Sequence, residues 1–180
     1  MTKFARLLSC LAALCTACGQ PSVSPAKHVG SDPIDYDASI HLDAESLAEM
    51  GMKDAYEELQ RQSGDIGVEW APMREKWDGQ NAGYDGGPNY RVEVNGKVYP
   101  VFGSPPAKDA WAGAAATFFQ VVNSQLSGRN FKFYAINSGN DLLAVRLTNE
   151  EFQRAQIFHK GSPYAPYLPN YDAPNYGLPQ

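Results

Sequence analysis

Cysteine is confined to the first eighteen residues of this 180-residue chain, at Cys10, Cys15 and Cys18, and none follows. The remainder therefore holds no disulfide framework, no thiol nucleophile and no cysteine-based zinc site. Histidine is scarce: His28, His41 and His159 are too scattered to share a metal, and no H-E-x-x-H run occurs. The nucleophile elbow G-x-S-x-G is missing. Asp85-Gly86-Gly87-Pro88 leads into a strand-like pattern, so it cannot serve as a phosphate cradle at a helix N-terminus. The stretch Asp78 to Asp85, DGQNAGYD, lacks the ligand spacing of a calcium loop. No apolar run approaches the ~20 residues that a membrane-crossing helix needs. Basic residues are in deficit, with 15 Lys+Arg against 20 Asp+Glu and a net charge of −5. A nucleic-acid partner needs the opposite balance. These absences lead us to expect no catalytic residue, no metal and no cofactor.

What is present begins with the N-terminus. Lys3 and Arg6 precede an apolar run from Leu7 to Leu14, which has the length of a secretory signal's hydrophobic region. Small residues follow, Cys15-Thr16-Ala17-Cys18. This stretch resembles the lipobox of bacterial lipoproteins, with Cys15 standing where that family usually has leucine. The resemblance implies cleavage before Cys18, with residues 1–17 as the signal peptide, and attachment of acyl chains such as palmitate to Cys18. Gly19 and Gln20 then place no Asp at the second position, which in enteric-type lipoproteins implies the periplasmic face of the outer membrane. Cys15-Thr16-Ala17 also resembles the A-x-A site of ordinary secretion, which leaves the protein exported and unlipidated. Cleavage before Cys18 removes Lys3 and Arg6 and brings the net charge to about −7.

Four regions are expected: the signal at 1–17, a lipidated cysteine and Pro/Ser-rich tether at 18–42, a globular domain at 43–162, and a Pro/Tyr-rich tail at 163–180. In the domain, Asp43 is placed to cap a helix from Ala44 to Gln62. Ala44, Ala48, Met52, Ala55, Tyr56 and Leu59 form its apolar face, and Ser63-Gly64 ends it. A short strand is expected around Ile66–Trp70, in an otherwise irregular stretch to Asn89. RVEVNGKVYPVF is a hairpin, with Asn95-Gly96 as its type I′ turn and Pro100 marking the second strand as an edge. Ser104-Pro105 opens a second helix that runs to about Leu126; it is apolar nearly all round and so belongs at the centre of the core. FKFYAINSGNDLLAVRL is a second hairpin. Thr148 and Glu151 form a capping box for a third helix, with Leu147 and Phe152 as the hydrophobic staple. The expected fold is α+β: an antiparallel sheet of about four strands, as two hairpins, with three helices on one face and one of them buried.

Three surfaces invite a partner. Residues 32–78 hold 13 acids against four bases, and Glu45, Glu49 and Glu57 lie on the polar side of the first helix. Trp70, Trp77 and Tyr84 stand among Glu69, Glu75, Asp78 and Asp85, as aromatics and carboxylates do in carbohydrate-processing sites. In the tail, Tyr164, Tyr167 and Tyr171 are spaced among prolines, so that Tyr164 and Tyr167 share a face of a polyproline helix. The reading preferred over a recognition strip is that the tail lies over the domain's own sheet and covers its apolar side. The layout, FYAINSGNDLLAVRLTNEEFQ with the Tyr/Pro tail above all, resembles small periplasmic lipoproteins that act as immunity proteins of type VI secretion. That resemblance implies a non-enzymatic inhibitor bound to a secreted toxin or effector. The alternatives are an envelope glycan-binding module or hydrolase built on loop 69–85, and a structural lipoprotein of an outer-membrane assembly.

Overall fold

The computed structural model describes residues 31–78, 89–102 and 109–178. Cys18, His28, Tyr84, Asp85 and the Ser104-Pro105 pair lie outside them. The chain is α+β, as expected, and is organised about one central helix. In chain order the elements are β1 (Ile40–His41), α1 (Ala44–Ala48), α2 (Met52–Ser63), β2 (Met73–Asp78), β3 (Asn89–Val94), β4 (Lys97–Phe102), α3 (Ala110–Ser124), β5 (Phe131–Ile136), β6 (Leu143–Thr148) and α4 (Asn149–Phe158).

Both hairpins form. Asn95 and Gly96 adopt φ 51° and 72°, the left-handed pair that a type I′ turn requires. Each hairpin gains a third strand, so two antiparallel sheets result, β2-β3-β4 and β1-β6-β5, where one sheet of about four strands was expected. Helix α3 packs on β4, on β5 and on α1, and so stands between the sheets. Its composition explains why. Every residue from Ala112 to Phe119 is buried, as are Val121 and Val122, so one partner layer cannot cover it. Burying Phe118 and Phe119 alone contributes roughly 1.5–3 kcal/mol each.

Three boundaries differ from the sequence expectation. The first helix is broken in two. Asp43 caps α1 as expected, accepting bonds from the N–H groups of Glu45 and Ser46 at 2.9 and 3.2 Å. The helix then closes at Met50, whose φ is 73°, and the Gly51 N–H donates back to the Ser46 carbonyl at 2.8 Å. That is a Schellman closure with methionine in the place of glycine. A Cβ on Gly51 would lie 2.7 Å from the Ser46 oxygen, so glycine is required one residue later. The expected strand at Ile66–Trp70 is absent; the strand is β2, from Met73. Helix α3 starts at Ala110, because Asp109 is extended and its carboxylate caps the Ala112 N–H at 3.0 Å.

The sheet β1-β6-β5 is covered on both faces. Phe133, Ala135 and Ala144 join the main core under α3. Tyr134, Ile136, Val145 and Leu147 pack with Ile34, Phe152 and Ala155 beneath α4. The capping box of α4 is complete, and Phe152 stacks on Tyr134 at 4.2 Å.

Candidate partner-binding site

Of the Trp/Tyr/carboxylate stretch, Trp70, Glu75 and Trp77 are part of the scaffold, whereas Tyr84 and Asp85 lie outside the described residues. Helix α2 begins at Gly51, which has no side chain to cap it. Glu75 on β2 does so instead: its carboxylate accepts the Lys53 N–H at 3.0 Å and the Tyr90 hydroxyl. Tyr90 is fully buried, and burial, reinforced by the Glu75 charge, pushes its hydroxyl well above the ordinary tyrosine value. Trp77 lies against the Tyr90 ring at 5.3 Å. Trp70 meets the Tyr56 ring edge-on at 5.8 Å. The Tyr56 hydroxyl donates to the Ala71 carbonyl at 2.8 Å and accepts from Gln125 Nε2 at 2.6 Å, while Gln125 Oε1 accepts the Ala71 N–H at 2.8 Å. These bonds join α2, the segment before β2 and the end of α3. Trp70, Trp77 and Glu75 are thus committed to holding elements together. No cluster of three potential metal-ligating side chains occurs among the described residues.

The three glutamates do not share one helix. Glu45 is in α1, Glu49 caps its end and Glu57 is in α2. Glu57 is paired with Lys53 at 3.6 Å. A single acidic helix face of the kind expected from continuous periodicity is broken by the turn at Met50-Gly51.

The tail lies on its own domain. Tyr167 and Ala135 exchange two main-chain hydrogen bonds of 2.8 Å each. The Tyr167 hydroxyl donates to the Asn137 carbonyl at 2.8 Å. The Tyr171 hydroxyl reaches the Pro100 carbonyl at 2.9 Å and Thr117 on α3. Tyr164 and Tyr167 do not share a face: pairing with β5 buries Tyr167, whereas Tyr164 stays exposed.

A cluster that the sequence did not reveal stands at the C-terminal end of α4, in the part of the chain that leads to Tyr164. Phe158 and His159 make an edge-to-face ring contact at 4.9 Å, and Tyr36 meets His159 at 6.4 Å. Tyr164 lies close enough to raise the Tyr36 pKa. His159 Nε2 bonds to Asp32 at 2.9–3.0 Å and lies 3.3 Å from the Tyr36 hydroxyl. The Ile34 N–H donates to Asp32 Oδ1 at 3.0 Å. Desolvation works to raise the Asp32 carboxyl, but the Ile34 N–H and His159 outweigh it and hold the group below its usual range. Tyr36 is pushed up to about 12, first by burial and then by the Asp32 charge. These bonds tie Tyr36 and Asp32 to His159 at a half-buried place, and the aromatic side chains there are open to solvent: Phe158 is 41% exposed, Tyr164 49%, Tyr36 38% and neighbouring Ile157 75%. Histidine at a helix C-terminus was the only signal the sequence carried for this place. Its partners Asp32 and Tyr36 come from 123 or more residues away.

Comparisons with protein-family models, with curated proteins and with solved structures find no match for this chain.

Proposed function

We propose that this chain is a lipid-anchored protein of the bacterial cell envelope that works by holding another protein, with no chemistry of its own. The lipobox-like run ending at Cys18 supports the anchor, and the periplasmic face of the outer membrane is the location it favours. No helix among the described residues is long and apolar enough to cross a membrane, which is compatible with attachment through acyl chains.

The observation that carries the protein-binding reading is the aromatic cap of Tyr36 and Phe158 about His159, together with exposed Tyr164. Single exposed aromatics are ordinary, but exposed rings gathered about one histidine, with Tyr36 tied to it through its hydroxyl, make a surface suited to a partner. Tyrosine and aromatic anchors on a rigid base lose little conformational entropy on binding, and they concentrate at interface hot spots. Resemblance to immunity lipoproteins makes a secreted toxin or effector the partner to look for first. The glycan-site alternative is less well supported, since Trp70, Trp77 and Glu75 are occupied in the scaffold.

The test has two arms. In the first, labelled palmitate is expected to enter the intact protein and not its Cys18→Ala form. In the second, the exported wild type is used to capture partners from an envelope extract, alongside a Phe158→Ser/Tyr164→Ser double variant. Both side chains are exposed, so the variant is expected to keep its melting temperature and lose the partner. If the double variant retains the same partner with unchanged affinity, the cap is not the binding surface.

A further inference from the structure

Strand β6 is flanked by β5 along its whole length, but on its other side β1 reaches it only at Ile40 and His41. Phe133 stands opposite Arg146 in the β5–β6 ladder. Its main-chain groups turn away from β6: the Phe133 N–H donates to Asn123 Oδ1 and its carbonyl accepts from Asn123 Nδ2, both at 2.9 Å. In an antiparallel ladder, directly opposed residues either exchange both bonds or both face outward. Arg146 therefore presents its main-chain N–H and C=O to the edge that β1 leaves uncovered.

The segment that would have extended β1 is drawn off. The Ser39 N–H and hydroxyl both donate back to the Tyr36 carbonyl, at 3.1 and 2.6 Å, and the Ala38 N–H donates to Asp35 Oδ1 at 3.3 Å. The next outward donor along β6, the Thr148 N–H, is taken by Glu151 at 2.8 Å. Among the described residues, Arg146 is left with a donor and an acceptor on this edge, at a groove of about 510 Å³. The groove wall also holds Ser63, whose hydroxyl is shielded from solvent without a hydrogen-bond partner among the described residues. Asp35, Asp37 and Glu151 line it against one cation, Arg146, whose guanidinium lies 5.7 Å over the Phe131 ring.

We propose that this groove takes a short extended segment of another protein carrying lysine or arginine, which adds to the edge of β6 as an antiparallel strand and exchanges both main-chain bonds with Arg146. Strand addition supplies direction and register through the backbone, and the surplus of carboxylates selects cationic side chains. The volume is within the range of sites that enclose a small ligand. The groove adjoins the aromatic cap through Tyr36, which lies between the groove-lining Asp35 and Asp37, whereas Phe158 stands at the far end of α4 from Glu151 and belongs to the cap alone.

The experiment uses the whole exported chain and the test peptide acetyl-Lys-Val-Lys-Val-Lys-amide, followed by titration calorimetry and residue-resolved amide exchange. The peptide is expected to slow exchange of the Arg146 amide about tenfold or more, and to leave the Val145 amide, already turned toward Tyr134, unchanged. A peptide N-methylated at its central residue, and the Asp37→Asn protein with the original peptide, are each expected to bind several-fold more weakly. Glutamate in place of lysine is expected to abolish binding. No binding at millimolar peptide, binding without protection of the Arg146 amide, or equal binding of the N-methylated peptide would each overturn the inference. Phe158→Ser is expected to bind the peptide as the parent does, so this inference and the aromatic-cap reading fail in different measurements.

Discussion

Met50 is the residue most at odds with its own backbone. A non-glycine residue at φ 73° costs on the order of 1 kcal/mol, and the position is forced by the turn from α1 into α2. The side chain is largely exposed, so it recovers little by packing. Met50→Gly is therefore expected to raise stability by about 1 kcal/mol, read as a higher urea midpoint at constant slope. A lower midpoint would mean that the methionine side chain makes a contact worth more than the strain. The next residue behaves oppositely, because Gly51 has no room for a Cβ beside Ser46. Adjacent positions thus differ in what glycine does for them, one through φ and the other through close approach. Glu75 shows the same dependence on place: read in sequence it is a candidate for chemistry, and in the fold it caps α2 from a strand 22 residues away.

Among the elements, β5 has the most managed edge. On its side away from β6, the Asn123 amide closes Phe133 and the Tyr167 backbone closes Ala135. An unpaired strand edge is a template for association, and the tail removes part of that template while burying Tyr167. Deleting residues 163–180 is expected to cost about 2 kcal/mol or more, from the buried ring and its two main-chain bonds. It is also expected to make the protein associate as concentration rises, which size-exclusion chromatography will show. A truncated protein that melts like the parent and stays monodisperse would show the tail to be dispensable. The opposite treatment of β6, open at Arg146, is the element-scale contrast on which the peptide-addition site rests.

At the scale of the whole molecule, the core is held together by tyrosines. Tyr56, Tyr90, Tyr134 and Tyr167 are buried, and burial holds each hydroxyl above its ordinary value of 10.0. In the unfolded chain these groups ionise near pH 10. The folded state binds the proton more tightly, so its stability is full below pH 10 and falls as pH rises beyond it. The melting temperature is expected to stay level from pH 7 to about 9 and to drop steeply above 10. Phenolate absorbance should rise together with unfolding. Ionisation of all ten tyrosines near pH 10 with the fold intact would contradict the burial described.

Much of this was legible in the chain itself. The Asn95-Gly96 turn, the Thr148–Glu151 box and the Asp43 cap are local signals, set by backbone preference and by bonds spanning two or three residues. The apolar circumference of α3 announced a central helix, and the periodic face of residues 44–59 is the buried one even though the helix breaks within it. Strand β2 was missed because its alternating charges hide a half-buried strand whose partners are β3 and α2. The aromatic cap was missed because it joins residue 36 to residues 158–164 through Asp32 and His159. Sequence alone determined the α+β class and the two hairpins. Tertiary structure alone decided that the hairpins seed separate sheets, that Trp70, Trp77 and Glu75 brace the scaffold, and which rings remain in water. Local hydrogen bonds and periodicity act within a few residues, whereas coverage of a surface depends on chain segments that only the completed fold brings together.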